Sequence, residues 1–316
     1  MFEDVPVLVK DFLEYLVTIK NRSINTVNEY YYDLKNIFKF LKCTKLNLQM
    51  SDDIILTDIT IDFIQKINLS DLHNYLFYIS TQLNDKSATR ARKAATMKSF
   101  FKYLCVQRKL LEVNPTSGLE TPTIGKRLPK YLNLDESISL LHSVKFNQEK
   151  FGKRDLCILT LFLNCGLRLS ELVNINMKNI KDTKLTIIGK GNKERVVHLN
   201  NACISSISSY LASRDYDKII DKEALFTSNS GKRIGNRMVE LIVKKYVKLA
   251  GLDETKFSPH KLRHTAATLM HKHGNVDIKT LQHILGHETI ATTQIYTHVD
   301  DNDAKKAIDN NPLNKI

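Results

Sequence analysis

The sequence predicts a mainly α-helical protein of two domains, with one small β-hairpin or sheet in the second domain. The chain has 316 residues, which exceeds one ordinary hydrophobic core and fits two domains. Apolar residues recur at helical spacing through most of the chain, whereas residues 184–199 contain two short β-rich runs around a turn. Apolar residues make up 42% and charged residues 26% of the chain, a composition typical of globular proteins.

The chain is strongly basic, with a formal net charge of +13 and an isoelectric point near 9.3. Such a balance favours a polyanionic partner, either nucleic acid or an anionic membrane surface. The alternative is a basic housekeeping protein. The longest apolar run, residues 157–167, is too short to span a bilayer, so we expect no membrane-spanning segment.

The cysteines and the amino terminus bear on the cellular compartment. Five cysteines are scattered along the chain, and none forms a Cys-x-x-Cys pair. This argues against a disulfide framework and a zinc ribbon, and favours a reducing compartment. The amino terminus opens with acidic residues, unlike a signal peptide. Together these features predict a cytoplasmic protein.

The first predicted domain, residues 1–118, has the sequence pattern of a helical domain. Within residues 23–41, Ser23 is placed to cap a helix whose apolar residues recur at helical spacing. Residues 44–68 are mixed and rich in loop-forming residues, and another capped helix follows them.

Residues 86–110 carry many basic side chains and no acidic one. The apolar positions give this predicted helix a core face, and Lys86, Arg90 and Lys93 lie on another face. A solvated helix usually mixes both signs of charge, so this composition favours a phosphate-backbone contact over a merely solvated surface. The residues predicted to contact nucleic acid are Lys86, Arg90, Arg92, Lys93 and Lys98.

A linker is predicted at residues 119–130, between the first domain and a second domain at residues 131–316. The surrounding stretch contains Pro115, Pro122 and Pro129 together with two glycines, which interrupt regular structure. A basic linker that joins two domains suits a clamp around a nucleic-acid duplex.

Four clusters in the second domain could carry chemistry. In the first, Gly166 ends one predicted helix and Arg168 opens the next, so that Arg168 and Glu171 share a face away from the apolar stripe. In the second, Lys190 lies at the tip of a glycine-flanked hairpin. Taken alone, each is better explained by an ordinary ion-paired or solvated surface residue.

The third cluster is the start of a predicted helix. Ser258 is a favourable N-cap and Pro259 suits the first helical position. His260 and Arg263 then lie one above the other in the first turn, beside the free N–H groups and the positive end of the helix dipole. This arrangement predicts an anion site, although a capped helix with chance polar residues would look similar.

The fourth cluster lies near the carboxyl terminus. His283 and His287 are four positions apart, Gly286 is placed to end a helix, and Tyr296 follows nine positions after His287. The concentration of histidines in this part of the chain raises the alternative of a metal site.

The arrangement of the histidines disfavours a metal. Residues 260–264 have the His spacing of a zinc-protease helix, but the glutamate that would act as general base there is absent. Arg263 would repel a cation between the two histidines, and no Asp or Cys lies close in sequence as a further ligand. We therefore expect neither a metal nor any other cofactor.

Arginines, a lysine and histidines without a metal suit phosphoryl transfer. That reaction needs positive charge on the phosphate oxygens, an in-line nucleophile and a proton for the leaving oxygen. The arginines and histidines can supply the charge, Lys190 the proton and Tyr296 the nucleophile. Nearby guanidinium groups would favour the phenolate of Tyr296, since a free phenol titrates near about 10.

Four motifs in one order resemble a known family. The segments are CGLRLSEL, IIGKGNKERVVHL, SPHKLRHTAATLM and LGHETIATTQIYTHV. As a set they resemble the tyrosine recombinases, and among these they are most similar to the bacterial Xer recombinases and related integrases. The resemblance covers residues from about 20 to 300, and the ordered set is far more specific than any single motif.

The resemblance implies a fold, an activity and site residues. The fold would be a two-domain C-shaped clamp on double-stranded DNA at a specific recombination site, with the catalytic domain at the carboxyl end. Tyr296 would attack the scissile phosphate and form a 3′-phosphotyrosine bond, and Lys190 would protonate the 5′-oxygen. The phosphate ligands would be Arg168, His260, Arg263 and His287. A homo- or hetero-tetramer would exchange strands through a Holliday junction without cofactors, and an accessory DNA translocase would be a candidate further partner.

Two departures and several alternatives accompany the resemblance. Residues 42–70 look longer than in a typical Xer amino-terminal domain, and the chain starts almost at once with core-binding helices, without an arm-binding domain of the lambda-integrase kind. A Xer-type role in resolving chromosome or plasmid dimers is favoured over integration and excision of a mobile element. A type IB topoisomerase and a non-catalytic DNA-binding protein are the remaining alternatives.

Overall fold

The chain forms two compact units, Met1–Arg127 and Leu128–Ile316. The computed structural model describes residues 2–123, 130–145, 150–189, 194–274 and 276–286. The division between the two units falls within the segment predicted as a linker.

The first unit is built from helices that run to residue 107. Ser23 accepts a hydrogen bond from the backbone N–H of Thr26, so the predicted cap is confirmed. Asn68 and Asp71 form a reciprocal capping box at the start of a later helix. The helices are α1 (Val7–Thr18), α2 (Ile24–Leu46), α3 (Ile61–Gln65), α4 (Leu69–Thr81) and α5 (Ser87–Lys102), and a π-helical turn covers Tyr103–Gln107.

The core of the first unit is centred on aromatic rings. The Phe100 ring of α5 meets Phe12 of α1 and Phe38 of α2 edge to face, with ring centroids 5.5 and 5.6 Å apart. All three side chains are fully buried. Such edge-to-face pairs add about 0.5–1.5 kcal/mol each beyond the area that they bury. The stretch predicted to be loop-rich holds only the end of α2 and the five-residue α3.

The second unit surrounds the buried helix α7. Helices α6, α9 and α11 pack against α7 and bury most of its side chains. The helices of this unit are α6 (Leu134–Lys145), α7 (Gly152–Cys165), α8 (Leu169–Val173), α9 (Asn201–Ala212), α10 (Asn236–Leu249), α11 (Pro259–Gly274) and α12 (Ile278–Leu285).

A three-stranded antiparallel sheet lies in the second unit, and two of its strands form the predicted hairpin. Its strands are β1 (Ile180–Lys181), β2 (Lys184–Ile188) and β3 (Glu194–His198), in the order β1-β2-β3. In the β2–β3 register, Ile187 lies opposite Arg195 and Leu185 lies opposite Val197. Because side chains alternate across a strand, Arg195 faces the same side as buried Val197, toward the core. The prediction of a mainly helical fold with a small hairpin or sheet is confirmed.

Within the described segments, no helix is long and apolar enough to cross a bilayer. The same residues contain no group of three or more His, Cys, Asp or Glu side chains that could hold a metal ion.

Candidate active site

Three arginines from three different elements converge on one buried carboxylate, Glu171 of α8. Arg168 Nη1 and Arg195 Nη1 each donate to Glu171 Oε1 over 2.6 Å. Arg195 Nη2 donates to Oε2 over 2.8 Å, and Arg263 Nη1 lies 3.7 Å from the same oxygen. Three guanidinium charges against one carboxylate leave an excess of two positive charges in this arginine cluster (Arg168, Glu171, Arg195 and Arg263). The cluster is therefore suited to an anionic ligand.

The backbone between α7 and α8 places the first arginine. Gly166 ends α7 in the left-handed conformation with φ of +59°, as the sequence predicted. A Cβ at this position would lie 2.7 Å from Leu285 Cδ2, so a side chain there would also collide with α12. Arg168 then starts α8, and its backbone N–H donates to Glu171 Oε2 over 2.7 Å. Glu171 thus holds both the backbone and the guanidinium of Arg168.

Glu171 is ionised at neutral pH. Burial by itself would raise its pKa, but the hydrogen bonds from Arg195 and from the Arg168 backbone outweigh burial and lower the pKa from 4.5 to about 2. The side chain is only 2% exposed. The cluster therefore keeps its anion through the physiological pH range.

The same three arginines bind the carboxyl end of α12. Arg195 Nε donates to Ile284 O over 3.2 Å, Arg263 Nη2 to Leu285 O over 2.7 Å, and Arg168 Nη2 to Gly286 O over 2.7 Å. Three consecutive carbonyls that have no helical partner are satisfied in this way, and the cations lie at the negative end of the helix dipole. Gly286 ends α12, and the arginine cluster therefore holds that end in place.

Arg263 also joins α11 to α7. Its Nη1 donates to Gly166 O over 2.7 Å, and its side chain is 4% exposed. Arg168 is 34% exposed, so its guanidinium still reaches solvent. Of the two predicted arginine ligands, Arg168 is the one open to an incoming anion, and Arg263 lies behind it.

His260 lies in the first turn of α11, one turn before Arg263. Its Nε2 is 3.1 Å from Nε2 of His264, and the two rings meet edge to face with centroids 4.6 Å apart. Partial loss of solvation, together with the charges of Lys261 and Arg263, lowers the pKa of His260 below the usual 6.5. The free protein therefore presents a neutral imidazole at neutral pH.

An NMR titration of the His260 ring is expected to give a midpoint below 6.5 in the free protein. Lys261→Gln should raise that midpoint, because it removes one of the positive charges that oppose protonation. Lys256→Gln removes a lysine that pairs with Asp253 instead and should leave the midpoint unchanged. A midpoint at or above 6.5 in the wild type would contradict this account of the site.

The structure brings together some of the predicted site residues. Arg168 and Arg263 meet at Glu171, and His260 shares a helix with Arg263. Three further predicted residues, Lys190, His287 and Tyr296, lie outside the described residues.

Sequence reasoning missed Arg195. It lies in the same GKGNKER segment as Lys190, in the strand that follows the turn. A signal was available in the strand pattern: Arg195 lies two positions before the apolar Val197, so the two side chains share the apolar face of the strand. A charged side chain on a buried face needs a partner, and that partner is Glu171.

The basic helix of the first unit differs from its prediction. Lys93 was expected on an exposed face, but it is 7% exposed and its Nζ lies 2.7 Å from Asp85 Oδ2. Its Nζ is 5.9 Å from the centre of the Tyr75 ring, which is itself buried in the core. Lys93 is therefore held within the protein.

Other cations of this helix are also paired. Arg92 Nη1 contacts Asp33 and Glu29 of α2, and Arg90 Nη1 donates to Ser80 Oγ and to Asp85 O. Lys98 donates to Thr121 Oγ1, whereas Lys86 is exposed. The lack of acidic residues within 86–110 did not mean unpaired charge, because the counter-charges lie on neighbouring segments.

Models of known protein families match residues in both units. Residues 130–303 match the model described as "Phage integrase family", and residues 9–56 match "Phage integrase, N-terminal SAM-like domain". The chain is 49% identical to tyrosine recombinase XerC of Caldanaerobacter subterraneus subsp. tengcongensis over 315 residues, covering 98% of this chain and 88% of that protein. It is 34% identical to tyrosine recombinase XerD of Proteus mirabilis, covering 94% of this chain and 90% of that protein.

Solved structures share the fold. XerH site-specific recombinase bound to palindromic difH substrate, in a post-cleavage complex, aligns with a TM-score of 0.71 at 21% identity, covering 96% of this chain and 84% of that one. A lambda integrase tetramer bound to a Holliday junction aligns with a TM-score of 0.64 at 16% identity, covering 93% and 78%. At these identities the likeness concerns the fold.

Proposed function

This chain belongs to the phage integrase family and is a site-specific tyrosine recombinase of the Xer type. We propose that it cuts and rejoins DNA through a covalent link at Tyr296. The observation that carries the proposal is the meeting of Arg168 and Arg263, far apart in sequence, around a carboxylate that they outnumber. An excess of positive charge built around fixed hydrogen bonds is what a phosphate undergoing displacement requires.

The proposed cleavage step has a defined balance of bonds. The Tyr296 phenol oxygen attacks the scissile phosphorus and forms a 3′-phosphotyrosine bond, while the bond from phosphorus to the 5′-oxygen breaks. Lys190 delivers a proton to that leaving oxygen, and the phenol proton passes to solvent or to a nearby base. One phosphodiester is exchanged for another, so rejoining needs neither ATP nor a metal.

Four residues would hold the phosphate, namely Arg168, His260, Arg263 and His287. Arg168 offers the solvent-facing guanidinium, Arg263 supports it from within, and His260 supplies a neutral ring at the start of α11. His287 is a further proposed ligand and directly follows Gly286 in the chain. The Gly286 carbonyl accepts a hydrogen bond from Arg168, so the arginine cluster binds the residue next to His287.

The biological role we propose is resolution of chromosome or plasmid dimers in the cytoplasm by a homo- or hetero-tetramer. The Xer names of relatives at 49% and 34% identity support this role, and the lambda integrase tetramer on a Holliday junction supports the assembly. Integration and excision of a mobile element is the alternative. A related recombinase and an accessory DNA translocase are further proposed partners.

The test is a recombination assay on DNA selected by the protein itself. A library of nicked suicide substrates would trap covalent complexes, and sequencing of the trapped DNA would give the site. A plasmid with two direct copies of that site should be resolved into two circles, in EDTA as well as in buffer. Relaxation of a supercoiled plasmid that lacks the site would instead favour a topoisomerase, and activity lost in EDTA but restored by zinc would favour a metal enzyme.

Lys86 is an exposed member of the predicted DNA contacts, and its replacement gives a separate prediction. Lys86→Gln should weaken DNA binding at every sequence and lower the slope of log K against log salt by about 1, because one phosphate contact is lost. Binding would be measured by fluorescence anisotropy over a range of salt concentrations. The exposed Lys66 serves as the control, since Lys66→Gln makes the same charge change elsewhere. Equal effects of the two substitutions would indicate overall charge and not a contact.

A further inference from the structure

Arg195 of β3 lies outside the set of residues proposed to contact the phosphate or move a proton, yet it bonds to the centre of the arginine cluster. We propose that Arg195 is a positioning residue for the cleavage reaction: it locks Glu171 to the carboxyl end of α12, so that the chain leaving α12 reaches the phosphate ligands in the reactive geometry. The inference rests on the proposed function, because it concerns the same arginine cluster and the same covalent step.

All three guanidinium nitrogens of Arg195 donate hydrogen bonds. Nη1 and Nη2 donate to the two oxygens of Glu171 over 2.6 and 2.8 Å, and Nε donates to Ile284 O over 3.2 Å. The side chain is 11% exposed. This is a bidentate pair with an additional backbone contact, a geometry that a lysine ammonium cannot reproduce.

The glycine that ends α12 packs directly against this side chain. Gly286 has φ of +64°, and a Cβ there would lie 3.0 Å from Arg195 Cδ and 3.2 Å from its Nη1. A side chain at position 286 would therefore be strained by the positive φ and would also crowd the Arg195 side chain. Since His287 follows in the chain, Arg195 sets the point from which the remaining proposed site residues depart.

Arg195 also connects α12 to the hairpin and to α8. It lies opposite Ile187 on β2, in the strand that follows the segment containing Lys190. Through Glu171 it reaches Arg168, whose Nη1 and backbone N–H both donate to the same carboxylate. One side chain thus links the elements that carry the proposed proton donor, a phosphate ligand and the approach to the nucleophile.

The guanidinium nitrogens of Arg195 all donate hydrogen bonds to groups inside the protein, so its role differs from that of Arg168. Arg168 is 34% exposed and can turn a donor toward solvent, whereas Arg195 is 11% exposed and faces Glu171 and α12. Arg195 therefore acts on the reaction through other residues and not on the DNA phosphate directly.

The experiment compares DNA binding with cleavage in Arg195→Lys. The equilibrium Kd for the selected site and the single-turnover rate of covalent complex formation on a nicked substrate would be measured on folded protein. We expect Kd to change less than about 3-fold and the cleavage rate to fall by about 100-fold, the effect of misplacing reacting groups by about 1 Å. Arg195→Ala should show a loss at least as large, part of which added guanidinium ion restores by filling the vacated position.

A matched control is a second buried arginine that pairs with a carboxylate away from α12. Arg154 donates to Asp155 and to Thr227 O, and its side chain is 7% exposed. Arg154→Lys should lower stability but leave the cleavage rate per folded molecule unchanged. Equal cleavage losses in both variants would indicate general destabilisation and overturn the inference.

Two further outcomes would also overturn it. These are an unchanged cleavage rate in Arg195→Lys, or a loss confined to Kd with no rescue by guanidinium ion. Failure of the wild-type chain to form any covalent complex would instead refute the proposed function, so the two failures are distinguishable.

Discussion

Tyr296→Phe is expected to bind the recombination site with unchanged affinity and to form no covalent complex with it. The substitution removes only the phenol oxygen, which we propose as the nucleophile, and leaves the arginine cluster that carries the positive charge. Loss of the nucleophile in covalent catalysis costs roughly 10⁶-fold in rate, so cleavage should fall below detection. The measurement is a denaturing gel of labelled suicide substrate, with a filter-binding or anisotropy assay for affinity.

A second tyrosine provides the control for this variant. Tyr216 is 59% exposed in the second unit and its ring lies beside Arg214. Tyr216→Phe makes the same chemical change and should cleave at the wild-type rate. A covalent adduct that persists in Tyr296→Phe would refute the assignment of the nucleophile.

Glu171→Ala is expected to destabilise the protein by about 3–5 kcal/mol, the usual cost of removing one partner from a buried ion pair. Two of the three guanidinium groups would lose direct hydrogen bonds to the carboxylate, and the third would lose its neighbour at 3.7 Å. Urea unfolding followed by circular dichroism measures the change in the free energy of unfolding. The exposed Glu240 provides the control, because Glu240→Gln should change stability by less than about 0.5 kcal/mol.

The effect of Glu171 has a defined pH dependence. Its pKa is lowered on folding, from 4.5 to about 2, so the ionised form stabilises the fold and this contribution is complete above the unfolded value. The contribution is lost as the pH falls from about 4.5 toward 2. The stability difference between wild type and Glu171→Ala should therefore be constant from pH 7 to 5 and shrink below. A difference that grows on acidification would contradict this role.

The basic helix of the first unit illustrates how far charge patterns in sequence can be interpreted. The absence of acidic residues in 86–110 predicted free cations, yet Arg92 and Lys93 pair with Asp33 and Asp85. A window of sequence shows which charges are neighbours along one helix, whereas ion pairs form between helices. Of the five predicted contacts, Lys86 and Arg92 are exposed, Arg90 and Lys98 are half-buried, and Lys93 is buried.

Local signals determined much of the architecture from the sequence alone. The cap at Ser23, the left-handed glycines at 166 and 286, and the start of α11 at Pro259 all follow from short-range sterics and hydrogen bonding, which a few adjacent residues specify. The residue types of the proposed chemistry were also visible, because phosphoryl transfer needs arginine, lysine, histidine and a nucleophile whatever the fold.

The tertiary structure decided the partners of those residues. Glu171 looked like a helix-surface neighbour of Arg168, but the fold brings Arg195 of β3 and Arg263 of α11 beside it and makes it the shared anion of three arginines. Arg195 gained its significance only when the carbonyls of α12 came within reach. Residue types are read directly from the sequence, and helix ends follow largely from local backbone geometry and hydrogen bonding. Which buried charge meets which is set by long-range packing, because a desolvated ion takes its partner from whatever the fold brings beside it.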